Sequence, residues 1–388
     1  MDYKTKYLKY KYKYTELKKK INNIGGVDDY LSDYFIASSH NTYLEGDQLF
    51  SKSNLDCYKN FLEFFKGGCI ELDLINYDPE KNDVEIKHEY TLTSIIYLTD
   101  VLTIIKTFIE KNLDSFIILS IDNKLKDKNT EKAYNIFKKI LGEYLYDLIK
   151  PDYTISEIKG KILLKWNKNI HDKSKTHFDK TNVISDSKFY NITQTDIINN
   201  NKLYNKKYKR IYPKWYNIAS NNYPFTPQLI NGTQMVALNC QKPDLHMMIM
   251  REFFKKTFYV KKPQWMLKIN TIKEVYCDIP VKKISLKFSD RYKNITVFKQ
   301  NETDFIQSEK NEFNIKLIMG FEYVYIICDI DNQTYHGVIN IIPNQKSRLY
   351  KKTKIFNEMS CDWYIKIDDN DNFIDIELEI NNSDVFIK

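Results

Sequence analysis

The sequence predicts an α/β protein, a (β/α)8 TIM-type barrel followed by an all-β sandwich, and three observations carry that expectation. Between Tyr34 and about Asn270, short apolar strand-like runs alternate with helical or polar stretches. Eight such runs suit a closed barrel better than a sandwich. From about Val281 the texture changes to alternating β-branched and aromatic residues without helical period, which predicts antiparallel sheet.

The barrel runs are, in chain order, FIASS, CIELDL, VEIKH, FIILSID, KILLKW, NVIS, KRIYP and QMVALN. The polar stretch NIHDKSKTHFDKT at 169–181 separates the fifth from the sixth and reads as a linker. The C-terminal runs are ISLKF, ITVFK, FNIKLI, YVYIIC, GVINII, WYIKI and FIDIELEI, and no internal repeat is present. The expected organisation is a basic helix over 1–26, a barrel half over 27–168, the linker at 169–181, a second half over 182–275 and the β domain over 281–388.

Ahead of the barrel, residues 1–21 carry eight Lys against Asp2 and Glu16, so six of the chain's net +8 charges belong to this segment. Tyr3, Tyr7, Tyr10, Tyr14, Leu17 and Ile21 are spaced alternately by four and three, one stripe of a helix that Gly25-Gly26 should end. A weak coiled coil, a helix lying on an anionic membrane and a solvated or docked helix all fit. This opening also resembles N-terminal segments of large DNA virus proteins, which would place the protein in a host cell or virion.

The 388 residues are enough to bury a core without disulfides. Six Cys with no C-x-x-C spacing favour free thiols in a reducing compartment. No apolar run approaches the ~18 residues of a membrane span, and the N-terminus is too charged for a signal peptide. A cytoplasmic protein is expected.

Chemistry concentrates where strands should end. His40 and Asn41 follow FIAS, Glu71 and Asp73 share one face of CIELDL, His88 ends VEIKH, and Asp122 ends FIILSID. Taken singly, each has an ordinary structural explanation. Together, Asn41, Glu71, Asp73 and Asp122 offer only oxygen ligands, which suits a hard cation such as Ca²⁺ or Mg²⁺. Two imidazoles beside such an ion equip a site for proton transfer around a phosphoryl group.

At this point the motifs are specific. SHNTYL, GDQL, ELD, KHEYTLTS, ILSIDN and KILLKW resemble the X half of the eukaryotic-type phosphoinositide-specific phospholipase C barrel, and RIYPKW, SNNY and PQLINGTQMVALNCQ resemble its Y half. The resemblance implies that Asn41, Glu71, Asp73 and Asp122 bind Ca²⁺, which also contacts the inositol 2-hydroxyl and the phosphate. Glu71 would take the hydroxyl proton, His40 would hydrogen-bond the phosphoryl oxygens, and His88 would protonate the departing diacylglycerol oxygen. A cyclic inositol phosphate would form and be hydrolysed by the same groups. Lys165 and Arg210 would grip the ring phosphates, with Ser187 or Ser185 assisting and Tyr212 packing on the ring. Leu49, Tyr90, Leu92 and Trp215 match an apolar rim that dips into the bilayer, and the β domain occupies the place of the family's C2 domain, with Asp368–Asp371 as a possible calcium loop.

The resemblance therefore implies a monomeric enzyme, peripheral at membranes, acting on phosphoinositide lipid and binding no nucleic acid. Rival readings are a catalytically weak or inactive phosphoinositide-binding module and a phosphodiesterase for another headgroup. Four departures from the family bear on these. Asp122 stands where the family has Glu, Glu89 where it has Gly, and Asn167 where it has a second phosphate-gripping Lys. The basic residue expected before ELD is missing from Gly67-Gly68-Cys69-Ile70. Glu89 would add negative charge near an anionic substrate. The short, charge-mixed linker predicts little autoinhibition.

Overall fold

The computed structural model of the chain describes residues 29–89, 91–166, 177–178, 183–186, 208–213, 219–230 and 232–263, and beyond these the strands of a β region between 281 and 385. The helix expected over 1–26 lies outside the described residues.

The run FIASSH divides into β1 (Tyr34–Ile36) and β2 (Ser38–His40). β1 pairs antiparallel with β11 (Tyr259–Lys261), at the N-terminal end of the barrel. The barrel wall runs β7-β6-β3-β2-β10-β9-β8, every neighbour parallel. Its members are β2, β3 (Gly68–Asp78), β6 (Phe116–Asn123), β7 (Lys161–Trp166), β8 (Val183–Asp186), β9 (Tyr208–Ile211) and β10 (Met235–Asn239). β10 is buried along its whole length, and so is β3 from Gly68 to Leu74, because helices cover the outer face and side chains fill the inside.

The run VEIKH differs from the others in direction. β4 (Asp83–Ile86) returns antiparallel along β3, with Leu74 opposite Ile86 and Asp78 opposite Asp83. Only Pro79–Asn82 connect the two strands, too short for the crossover of a dozen or more residues that a parallel pair requires. β5 (Ile96–Tyr97) extends this hairpin before α2 (Leu98–Lys111).

α1 (Leu55–Phe65) begins at Asn54, whose side chain accepts from the Asp56 amide, and ends at Lys66 in the left-handed region. Gly68 follows at φ 120°, where an added Cβ would stand 2.5 Å from the Ala37 carbonyl oxygen. Only glycine lets β3 approach β2 this closely. The remaining helices are α3 (Asp127–Leu141), α4 (Ile155–Ile158), α5 (Phe225–Ile230) and α6 (Leu245–Phe254).

The far edge of β7 carries an unexpected feature. Tyr146 N–H donates to Ile162 O, and two residues along, His177 N–H donates to Leu164 O while Leu164 N–H donates to His177 Nδ1. His177 Nε2 bonds the Tyr146 carbonyl at 2.6 Å. An imidazole thus stands in for part of a neighbouring strand. Phe178 packs edge-on against Tyr208 at 4.8 Å, and both His177 and Phe178 are buried. The linker, read from composition as a polar loop, ends in an anchor on both halves of the barrel.

Beyond the barrel, β12 (Val281–Lys287), β15 (Glu312–Ile318) and β20 (Glu379–Val385) form one antiparallel sheet. β13 (Lys293–Phe298), β14 (Phe305–Gln307), β16 (Tyr323–Ile330), β17 (Gln333–Asn340), β18 (Ser347–Lys351) and β19 (Phe373–Ile376) form the other. α6 meets this domain through Phe253, whose ring lies 5.8 Å from that of Tyr323. Asp368–Asp371 lie outside the described residues. Cys57, Cys69, Cys240 and Cys328 are buried free thiols.

Candidate active site

The parallel register delivers the predicted acids to one end of the barrel. β3 and β6 run side by side with Asp73 opposite Asp122, and β2 ends at His40, opposite Asn239 of β10. Asn41, next in the chain, sits at φ 45°, a left-handed conformation that Asn tolerates better than most residues. That turn aims its amide at Glu71 Oε2, 2.9 Å away.

Glu71 is buried, and its Oε1 lies 3.1 Å from the Arg210 guanidinium. Burial alone would raise its pKa. Arg210 first, then His40 and the Asn41 amide, outweigh burial and hold the carboxyl below its usual range. Two residues on, Asp73 goes the other way. Burial and the charges of Glu71 and Asp122 push it well above the ordinary aspartate value, although Tyr43 O–H donates to its Oδ2 at 2.7 Å. Neighbouring carboxyls driven apart in proton affinity are the usual mark of an acid–base site.

His40 Nδ1 bonds Asn239 Oδ1 at 2.8 Å, and its ring stacks on Tyr212 at 6.0 Å with 4° between the planes. Nε2 faces Glu71 Oε2 at 3.9 Å. Burial lowers the His40 pKa, and Asn239 selects which nitrogen carries the proton of the uncharged ring. His88 lies on the loop after β4, which Thr91 Oγ1 donating to the His88 carbonyl at 2.8 Å helps hold. Burial, then the nearby charge of His40, lowers its pKa as well.

Lys165 on β7 is fully buried, with no partner for Nζ among the described residues. Burial, then Arg210, brings its pKa down to about 7. Arg210 on β9 donates to Ser39 O at 3.0 Å as well as to Glu71, so its charge is already engaged inside the barrel. Tyr212 lies 5.4 Å from its guanidinium. Ser185 falls on β8 in register with Arg210, while Ser187, Asn167, Tyr90 and Trp215 lie outside the described residues.

The donor set fits a hard cation. Asp73 Oδ1 is buried without a partner among the described residues, and a carboxyl with raised proton affinity is one that a cation would relieve. The set is not gathered into a cage. Among the described residues no three His, Cys, Asp or Glu side chains converge at metal-binding distance.

Two family descriptions match this chain: phosphatidylinositol-specific phospholipase C, X domain, over residues 27–168, and the Y domain of the same enzyme over 162–265. The chain belongs to the phosphatidylinositol-specific phospholipase C family. Among curated relatives, 1-phosphatidylinositol 4,5-bisphosphate phosphodiesterase gamma plc-3 of Caenorhabditis elegans is 43% identical over 122 residues, 30% of this chain and 9% of that protein. The eta-1 enzyme of Homo sapiens is 40% identical over 151 residues, 37% of this chain and 9% of that one. The chain thus spans about a tenth of the length of these relatives. The crystal structure of L. pealei PLC21 has a TM-score of 0.65 at 19% identity, covering 92% of this chain and 56% of that one, a likeness of fold. The barrel has the TIM-type fold of the phospholipase C family.

Several residues of this candidate site are not legible in the sequence. Tyr43 and Asn239 were inside the quoted motifs SHNTYL and QMVALN, but their parts as donor to Asp73 and partner of His40 appear only in three dimensions. Ser220 Oγ and Gln241 Nε2 both donate to Gly46 O, at 3.0 and 3.1 Å, tying the loop after β2 to the other half. At the rim, Leu92 N–H donates to Leu49 O at 3.1 Å, joining two loops. Leu92 is 79% exposed and Phe50, which was not predicted, 67%, whereas Leu49 is half-buried.

Proposed function

We propose that the chain is a Ca²⁺-dependent phosphoinositide phospholipase C. It cleaves phosphatidylinositol (4,5-bisphosphate) to diacylglycerol and inositol phosphate through a cyclic phosphodiester. The observation that carries this reading is the company of groups at one barrel end: Glu71 beside the Arg210 guanidinium, His40 bonded to Asn239, and a buried Asp73 with one oxygen unpartnered among the described residues.

Glu71 accepts the proton of the inositol 2-hydroxyl, whose oxygen then closes on phosphorus. Arg210 keeps Glu71 ionised at the cost of its basicity, so the hydroxyl itself must be made more acidic. Asn41, Glu71, Asp73 and Asp122 would hold Ca²⁺, which when bound would supply that acidification and offset phosphoryl charge. His40 steadies the phosphoryl oxygens, and an anionic phosphodiester between the two rings lowers the cost of charging them. His88 gives its proton to the diacylglycerol oxygen as the bond to phosphorus breaks. It then takes a proton from water during hydrolysis of the cyclic product, and Glu71 returns its own to the 2-hydroxyl.

Lys165 and Arg210, with Ser187 and Tyr212, take the phosphorylated headgroup, Lys165 Nζ having no hydrogen-bond partner among the described residues. The exposed Phe50 and Leu92, with Leu49, Tyr90 and Trp215, form the rim that enters an anionic membrane surface. No helix of the described residues is long and apolar enough to cross a membrane. The protein works as a monomer, peripheral at cytoplasmic membranes, with the X half at 27–168, the linker at 169–181, the Y half at 182–275 and a C2-like domain at 281–388.

Vesicles of phosphatidylinositol or its bisphosphate test this reading. Inositol phosphate release with Ca²⁺ should stop with chelator, and His40→Ala or His88→Ala should lower it by roughly 10²–10⁴-fold. Undiminished release by both variants refutes the assignment.

A further inference from the structure

Glu89 and Asp122 share one basic partner. Lys124 Nζ lies 3.1 Å from Glu89 Oε2 and 3.2 Å from Asp122 Oδ2. All three side chains are about a third exposed. The base of Lys124 is fixed, since its amide donates to Leu74 O at 2.9 Å and Asn123 beside it bonds Thr130 and the Leu125 amide. Only the side chain is free to move. Asp122, which lies opposite Asp73 across the strand pair, is therefore engaged by an internal cation.

We propose that Lys124 and Glu89 act together as an exchangeable counter-charge for the third carboxylate of the metal site. Lys124 holds Asp122 away from the metal position, and Glu89 is the berth that keeps the ammonium when a divalent cation takes Asp122. The exchange moves no proton and breaks no covalent bond: one ion pair is given up and the other is retained. Glu89 therefore does not present a bare negative charge to the phosphodiester, because Lys124 neutralises it in both states. The pair sets how readily the site accepts Ca²⁺. This rests on the calcium reading above, and its residues are positioning residues, acting through Asp122.

Calorimetric titration of the full chain with CaCl₂, without lipid, tests the proposal apart from turnover. Lys124→Met should bind Ca²⁺ about fivefold more tightly than the wild type. Glu89→Gln should bind about threefold more weakly in the wild-type background and show almost no effect once Lys124 is Met. Lys126→Met, an equal change in charge at an exposed neighbour, should shift affinity less than about twofold. Equal affinity for Lys124→Met and wild type, an equal gain from Lys126→Met, or the same Glu89→Gln effect in both backgrounds overturns the proposal. If neither wild type nor Lys124→Met binds Ca²⁺ while both show cooperative thermal unfolding, the calcium reading falls and the exchange with it.

Discussion

Glu71 and Asp122 lie on adjacent barrel strands, each paired with a basic side chain, and the two pairs behave as opposites. Glu71 and Arg210 are 8% and 2% exposed at the side chain, and Arg210 comes from the other half of the barrel. Asp122 and Lys124 are 37% and 27% exposed, and a single residue, Asn123, separates them in the chain. A desolvated guanidinium pair is part of the architecture, because removing one partner strands a charge where water cannot reach it. A half-solvated ammonium pair is a local arrangement that another cation can replace. One barrel end therefore contains a carboxylate that is held in the interior and a carboxylate whose partner is replaceable.

The largest expected difference is in stability. Arg210→Met should cost about 3–5 kcal/mol in urea unfolding, while Lys124→Met should cost less than about 1 kcal/mol. Similar losses from the two would dissolve the distinction. Next comes Asp73, whose buried Oδ1 has no partner among the described residues. In chelator, Asp73→Asn should hold or raise stability by about 1 kcal/mol while abolishing any calcium-induced rise in melting temperature. A clear loss of stability in chelator would show that Asp73 is structural.

Lys165 adds a pH signature that Arg210 cannot show, since a guanidinium stays charged throughout. Its pKa is about 7 in the fold and ~10.4 when unfolded, so the unfolded state binds more protons across that window. Wild-type stability should therefore rise relative to Lys165→Met by about 1–2 kcal/mol between pH 7 and 8.5. A constant difference would mean that the lysine keeps its proton. The smallest effect is expected from the linker. Deleting 169–176, which spares His177 and Phe178, should change turnover less than tenfold, and a larger rise would reveal autoinhibition.

The barrel was legible because parallel strands covered on both faces read as unbroken apolar runs. The direction of β4 was not, since an apolar run carries no arrow; the four-residue connection before it was the available clue. Glu71 and Asp73 announced themselves through the spacing of two in ELD. The pairing of Glu71 with Arg210 and of Lys124 with Glu89 did not, because each joins segments far apart in the chain through loops or across the barrel interior. His177 and Phe178 were masked by the polar residues around them, which dominate any compositional reading of the linker.

The His177 anchor also bears on how the enzyme would survive being cut. His177 belongs to the stretch leading into the second half of the barrel, yet its ring and amide are hydrogen-bonded to Leu164 and Tyr146 of the first. A proteolytic nick within 169–176 would therefore leave the downstream fragment still holding the edge of the upstream one. The two pieces should co-purify, and the segment upstream of His177 is the natural place to insert a foreign domain without parting the halves.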